Sequence, residues 1–219
     1  PYTMASLYAL FTSMPPLLDR HAYFSWRNKL TLPLILRHHG FVSISIHSNP
    51  WFKIYNLRDH FDIIVDPHKL IRARNRKSTL LSNTVKVPQN ARKSLSKGLI
   101  SVLSKVVPKE AIIGLYQYLV SGRPYATAAN INEYAISILN GVLSKGFHRI
   151  FLWLHYMDVH EPYVPPRPFF LPRGFSEAKA YILNKKRLFR AESLSREERR
   201  LIVDLYDSAI KYVDEQLLS

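Results

Sequence analysis

Cysteine is absent from this chain of 219 residues. Its absence excludes disulfide bonds, thiolate metal sites and a cysteine nucleophile within the sequence. The chain also lacks any apolar run that approaches the roughly 20 residues needed by a membrane-spanning helix. A hydrophobic share of 47% and an aromatic share of 12% are nevertheless typical of a globular domain with its own core. We therefore expect a folded domain without a transmembrane segment in this sequence. The sequence leaves the compartment unknown, and the cytoplasm is a guess.

Acidic residues are also scarce, since 16 Asp and Glu stand against 31 Lys and Arg, for a formal net charge of +15. Such a surface attracts polyanions, including nucleic acid, anionic lipid and sulfated or phosphorylated substrates. No nucleic-acid motif and no ladder of aromatic residues accompanies the charge, which weakens the interpretation as a nucleic-acid-binding module. The excess lies largely in two segments, one with Lys69, Arg72, Arg74, Arg76, Lys77, Lys86, Arg92, Lys93, Lys97, Lys105 and Lys109, the other with Lys185, Lys186, Arg187, Arg190, Arg196, Arg199 and Arg200.

The hydrophobic pattern predicts helices that alternate with strands. A continuous apolar run over residues 149–154 is typical of a parallel strand buried on both faces. Ser195 and Glu198 match a capping box at the start of a long C-terminal helix. This order of elements predicts an α/β fold with a mainly parallel sheet flanked by helices. The other predicted helices cover residues 4–12, 31–39 and 127–143, and the other predicted strands cover 41–46 and 62–65. The expected apolar face of the last helix consists of Leu201, Leu205, Ala209, Val213 and Leu217.

Polar side chains follow the apolar run directly, in the segment His155-Tyr-Met-Asp-Val-His160-Glu-Pro-Tyr163-Val-Pro-Pro166. In open parallel sheets, ligands bind beyond the carboxyl ends of the strands, so this loop is the first place to look for chemistry. Imidazole can protonate a leaving oxygen near neutral pH or hold an anion when charged. The alternative is a turn whose histidines cap backbone groups, and a turn role is equally open for Asp158.

The segment resembles the "strand, then His-Tyr-Met-Asp-Pro-His-x-Pro-Tyr-x-Pro-Pro" element of the sulfatase family, within the alkaline-phosphatase superfamily. Val159 stands where proline is usual in that element. The resemblance implies that His160 contacts the sulfate or phosphate group and serves the leaving group. It also implies that His155 belongs to the substrate-binding residues.

Further stretches resemble the same family. The predicted helix at residues 31–41 is similar to the family's "Thr-Leu-Ala-x-Leu-Leu-x-x-x-Gly-Tyr" helix. Ser48-Asn49-Pro50-Trp51 resembles its "Ser/Ala-Asn-Pro-Trp/Phe" turn, which makes Asn49 a candidate substrate-binding residue. Residues 205–216 are similar to a helix of the family, and their helical pattern indicates a structural role. The resemblance covers residues 1–66, 123–170 and 201–217. We therefore expect 1–219 to be a partial sulfatase-like catalytic domain, truncated at both ends, with basic insert-like segments at about 67–121 and 171–199.

The first residues resemble the family's nucleophile motif, "Pro-Trp-Thr-x-Pro-Ser-His-Ala-Ser-Leu-Phe-Thr-Gly". The alignment puts Thr3 at the nucleophile and Ser6 on the family's serine, as a substrate-binding residue. A hydroxyl at a helix N-terminus suits attack on an anion, although threonine is also an ordinary N-cap residue. Ala5 and Leu7 depart from the motif. Formylglycine is not expected, because no cysteine is present and threonine holds the position.

The resemblance also implies a divalent cation, Ca²⁺ or similar. The family holds it with paired aspartates upstream of the nucleophile and an Asp-Asn or Asp-His pair far downstream, so apart from Thr3 the ligands are expected outside this chain. The sequence thus predicts a sulfatase-like hydrolase of small or polymeric sulfate or phosphate esters. Phosphoester chemistry is favoured, because threonine cannot become formylglycine. The alternatives are an inactive homologue and a basic polyanion-binding module.

Overall fold

The computed structural model describes residues 3–15, 26, 29–49, 52, 59–71, 73, 123–169, 176–190 and 193–219. Most of the first basic segment, as well as Pro50 and Trp51 of the predicted turn, lies outside the described residues. The chain divides into two compact units. The first unit is Pro1–Leu70 with Ala129–Met157, and the second unit is Ile71–Ala128 with Asp158–Ser219.

The described part of the chain contains helices and strands in the predicted alternation. The first two predicted helices, the three strands and the helix before the last strand are all confirmed, with bounds shifted by one residue or so. In chain order the elements are α1 (Thr3–Thr12), α2 (Leu32–His38), β1 (Val42–His47), β2 (Ile63–Val65), α3 (Ala128–Leu143), β3 (Ile150–His155), α4 (Glu177–Arg190) and α5 (Arg196–Leu218).

The three strands form one parallel sheet in the order β2-β1-β3. Ile44 of β1 pairs with Ile63 of β2, and His47 pairs with His155 of β3. The α/β fold with a parallel sheet flanked by helices is therefore confirmed for the described residues. β1 lies in the centre, and its residues from Ser43 onward are buried.

The expectation that β3 is buried on both faces is wrong for the described structure. All six of its residues are only partly buried. β3 is an edge strand of the described sheet, and an edge strand is covered less completely than the central strand β1.

Local signals explain the bounds of α2. Thr31 is the N-cap and Pro33 lies in the first turn, where its missing N–H is no loss. The helix ends before Gly40, whose φ of 79° lies in the left-handed region that glycine adopts at low cost. The chain can thus turn at once into β1, so that α2 and β1 are adjacent elements.

An aromatic cluster forms the core of the first unit. Phe11 of α1 makes edge contacts with Trp26, Phe61 and Trp153, at ring-centroid distances of 5.9, 5.7 and 4.9 Å. Trp26 is fully buried. Edge-to-face contacts of this kind stabilise beyond area burial by about 0.5–1.5 kcal/mol each, so α1 is fixed against one face of the sheet.

The core of the second unit forms where α4 and α5 pack together. Ser195 caps α5 as predicted, since its hydroxyl accepts from the Glu198 N–H and the Glu198 carboxylate accepts from the Ser195 N–H. The predicted apolar face of α5 is only partly right. Its buried residues are Ile202, Leu205, Ser208, Ala209 and Tyr212, whereas Leu201 and Val213 are half-buried and Leu217 is 61% exposed.

The position of α4 explains this difference. Ile202 and Leu205 join Ala180, Tyr181 and Leu183 of α4 in one apolar cluster, so the buried face of α5 is the one turned to α4. α4 was not predicted and lies within the expected basic insert at 171–199. Within the described residues, no helix combines the length and apolar character needed to cross a bilayer.

Candidate functional site

Polar side chains gather at the carboxyl ends of β1 and β3, in the first unit. Asn49 follows β1 and is 2% exposed, and His155 is the last residue of β3. The Asn49 Nδ2 atom lies 3.2 Å from His155 Nε2. Because an amide nitrogen only donates, Nε2 accepts in this arrangement and the ring proton of a neutral His155 is on Nδ1. The structure thus brings together two of the predicted substrate-binding residues.

A third residue of this edge, His47, was not singled out from the sequence. It is 3% exposed and is the register partner of His155 across the sheet. Its ring stacks on Phe52 with centroids 4.0 Å apart, and Phe52 also contacts the His155 ring at 5.6 Å. Burial lowers the pKa of His47 to about 4, although the nearby Asp66 opposes the shift. His47 is therefore neutral at neutral pH.

The signal that could have found His47 is positional. It is the last residue of a buried strand, directly before the Ser48-Asn49 turn, and strand ends are where functional side chains collect in parallel sheets. The alternation of residues in β1 locates the strand but gives no signal for the polar residue at its end.

His160 lies in the second unit and is exposed. Its Nδ1 atom is 2.8 Å from the carbonyl oxygen of Glu161. A carbonyl oxygen only accepts, so this contact holds the ring proton on Nδ1 and leaves Nε2 as the basic nitrogen of the neutral ring. An exposed imidazole in this tautomer can take up a proton at Nε2 and deliver it to a leaving oxygen.

The backbone around His160 is held by buried side chains of the same unit. The Tyr125 hydroxyl lies 2.6 Å from the His160 carbonyl oxygen and 2.5 Å from that of Pro162. Burial raises the pKa of Tyr125, so the hydroxyl stays protonated as a donor. Asn184 of α4 brackets Tyr163, because its Oδ1 accepts from the Tyr163 N–H at 2.9 Å and its Nδ2 donates to the Tyr163 carbonyl at 3.0 Å.

Arg123 fixes the end of the same loop. Its Nη1 donates to the Val164 carbonyl at 2.6 Å, and its Nη2 pairs with the Glu177 carboxylate of α4 at 2.6 Å. The loop therefore presents His160 on a backbone tied down at several points, which is the arrangement that catalytic loops require.

Asp158 is buried rather than exposed. It stands in a turn and is 4% exposed. Burial raises the pKa of its carboxyl to about 6, while backbone hydrogen bonds, including one from Ala128, and the charge of Arg123 act in the opposite direction. The turn interpretation of Asp158 is the one that the structure supports.

The remaining predicted residues lie on α1. Thr3 is its first residue, so the expected helix N-terminus is present at the nucleophile position. The Thr3 side chain lies outside the described residues. Ser6 is exposed on the same helix. The first unit contains Thr3, Ser6, Asn49 and His155, whereas His160 lies in the second unit.

A divalent cation does not fit the described residues. They contain no group of three or more His, Asp or Glu side chains that could hold a metal ion. Ca²⁺ takes about six to eight oxygen ligands, whereas the described groups at the carboxyl ends of the strands are two imidazoles, the Asn49 amide and the Asp66 carboxylate, which is paired with Lys69. The cation stays a prediction, because its ligands other than Thr3 are expected outside this chain.

No protein-family model, no curated protein and no solved structure matches this chain. The likeness to sulfatases therefore remains a resemblance of motifs.

Proposed function

We propose that this chain is part of a sulfatase-like hydrolase that acts on phosphate or sulfate esters. The observation that carries the proposal is the Asn49–His155 pair, which stands at the carboxyl edge of a parallel sheet where the sequence motifs put substrate-binding residues. Ligands of open parallel sheets bind at this edge. The alkaline-phosphatase-like core is the architecture that the proposal implies.

Asn49 and His155 are suited to hold a tetrahedral anion. The amide nitrogen of Asn49 donates to His155 Nε2, so the two side chains hold each other in position at the carboxyl edge. Donors fixed before the substrate arrives stabilise charge on an ester oxygen better than water does, because no reorganisation is needed.

His160 is the proposed proton donor for the leaving group. The Glu161 carbonyl fixes its tautomer, so that Nε2 gains and releases the proton. When the ester bond breaks, the leaving oxygen takes the proton from Nε2, and the next water molecule that attacks returns one to it.

Thr3 is the proposed nucleophile, and it favours phosphate over sulfate. Its oxygen would form a bond to phosphorus as the bond to the leaving oxygen breaks, with the hydroxyl proton released to solvent. Water would then attack phosphorus, give one proton to His160 Nε2 and release phosphate, and the threonine oxygen would regain its proton from solvent. Formylglycine chemistry, which sulfate esters require in the family that the motifs resemble, is not open to threonine. The N-terminus of α1 favours an anion at this position.

The test uses the protein expressed from its complete open reading frame, assayed with p-nitrophenyl phosphate and p-nitrophenyl sulfate in the presence of Ca²⁺, Mn²⁺ or Zn²⁺. We expect the phosphate ester to be cleaved faster. Thr3→Ala should lower kcat by about a hundredfold or more, whereas the control Thr12→Ala at the other end of α1 should not. Failure to cleave either ester with any of the cations would overturn the proposal and favour an inactive homologue.

A further inference from the structure

A pocket of about 350 Å³ lies on the second unit, lined by residues of α4, of α5 and of the loop that follows β3. Its volume falls in the range of small-molecule sites. Aliphatic, aromatic and cationic side chains share the lining, and the ones that decide what it can bind are Leu194, Val203, Tyr163, Tyr206, Arg187 and Arg199.

The pocket joins a buried apolar surface to solvent. Leu194 and Ile202 in its lining are buried members of the apolar cluster between α4 and α5. Val203 and Tyr206 of the same lining are 55% and 41% exposed. A ligand therefore reaches these side chains directly from solvent, and its binding removes apolar surface from contact with water.

The two tyrosines of the lining already form an aromatic pair. The rings of Tyr163 and Tyr206 meet edge to face, with centroids 5.2 Å apart and an angle of 62° between their planes. The bonds from Asn184 fix the backbone of Tyr163 in place before a ligand arrives. A third ring that packs against this pair extends a geometry that aromatic side chains favour.

Positive charge in the lining selects among ring-shaped ligands. The Arg187 guanidinium lies over the Tyr163 ring, 5.7 Å from its centroid, and pairs with Glu161. Arg199 also lines the pocket and donates from Nε to the Leu194 carbonyl at 3.3 Å. None of the residues that the described structure places in the lining is acidic. Guanidinium groups attract the electron-rich face of an aromatic ring and repel a cation, so an uncharged aromatic ring is favoured over a saturated or a cationic one.

We propose that this pocket binds a small molecule through an uncharged aromatic ring. The ring packs against Tyr163, Tyr206 and the aliphatic side chains, within reach of the arginine charges. The site is independent of ester hydrolysis, because none of its lining residues has a role in the proposed reaction.

The probes are benzyl alcohol, cyclohexylmethanol and benzylamine. The two alcohols share size and polarity but differ in aromaticity, and benzylamine carries a positive charge at neutral pH. Binding is followed by NMR of the complete protein during titration with each probe. We expect benzyl alcohol to bind with a dissociation constant on the order of 1 mM, cyclohexylmethanol to bind about fivefold more weakly and benzylamine about tenfold more weakly.

Variants of α5 locate the site. Val203→Trp fills the pocket from an exposed position and should abolish the binding of benzyl alcohol, whereas Ile210→Trp, outside the lining and 43% exposed, should not affect it. Tyr206→Leu removes one ring and should reduce the preference for benzyl alcohol over cyclohexylmethanol. Far-UV circular dichroism verifies that each variant is folded.

The proposal is overturned if benzyl alcohol does not bind, or if cyclohexylmethanol or benzylamine binds as tightly as benzyl alcohol. It is also overturned if Val203→Trp binds benzyl alcohol as the unaltered protein does, or if Tyr206→Leu retains the full preference for the aromatic alcohol.

Discussion

His155 and His160 are near neighbours in the sequence, yet their surroundings differ in burial and in hydrogen bonding. His155 is partly buried and its Nε2 is engaged by Asn49, whereas His160 is exposed and its Nδ1 is engaged by a carbonyl. These contacts therefore engage opposite ring nitrogens in the two residues. This difference suits His155 to hold an anion and His160 to transfer a proton.

The first prediction concerns Asn49. Asn49→Ala removes the donor that orients His155, so substrate binding should weaken more than catalysis. We expect KM for the ester to rise about tenfold, since one hydrogen bond to a charged group contributes roughly 1.5–3 kcal/mol, with a smaller change in kcat. Asn140→Ala, at an exposed position of α3, is the matched control and should leave both constants unchanged. Equal effects of the two variants would remove Asn49 from the site.

The second prediction concerns the pH dependence of stability. Burial raises the pKa of Asp158 from an ordinary value of 3.8 to about 6. The folded state then binds a proton more tightly than the unfolded state does. The stabilisation that the proton on Asp158 gives the folded state is complete below about pH 4 and is lost as the pH rises from about 4 to about 6.

Asp158→Asn removes this titration while it keeps the size and the accepting oxygen of the side chain. We expect the variant to gain up to about 3 kcal/mol in free energy of unfolding at pH 7 relative to the native protein, and nothing at pH 4. Denaturant unfolding at the two pH values measures the difference. A gain that is the same at both values would contradict the shifted pKa.

At the scale of elements, the structure follows the sequence where signals are local. α2 has Pro33 in its first turn and Gly40 after its end, and α5 has the Ser195–Glu198 capping box. Each of these signals acts through backbone bonds within a few residues, so each could be recognised without the fold. The buried face of α5 could not, because it depends on where α4 packs.

The cap of α5 gives the third prediction. Ser195→Ala removes the side chain that accepts from the Glu198 N–H at 3.1 Å. We expect the free energy of unfolding to fall by about 1 kcal/mol. The control is Ser137→Ala, at an exposed position within α3, which should be neutral or slightly stabilising because alanine favours helices. If both variants unfold alike, the capping box does not contribute to stability.

At the scale of the whole molecule, the motif that anchors the resemblance spans the boundary between the two compact units. The boundary falls between Met157 and Asp158, directly after β3. The parallel sheet could be predicted because helices alternate with apolar runs along the chain. The pocket beside Tyr163 could not, since it depends on the packing of α5 against α4 and on the ring of Tyr206.

In the folded protein, ion pairs engage part of the basic charge that the sequence counts. In the second basic segment, Lys186 pairs with Glu198, Arg187 pairs with Glu161, and Arg199 donates to the Leu194 carbonyl. The described part of that segment is thus less free to bind polyanions than its sequence implies. Weak and salt-sensitive binding of a polyanion through the segment from Lys69 to Lys109 would be the mark of the binding-module alternative.

The hydrolase proposal depends most directly on His160. The measurement is kcat/KM for p-nitrophenyl phosphate with the complete protein, compared between His160→Ala and the control His148→Ala, which changes an exposed histidine just before β3. We predict that His160→Ala lowers kcat/KM by about a hundredfold or more while His148→Ala retains full activity. Equal activity of the two variants would contradict the assignment of His160 as the proton donor.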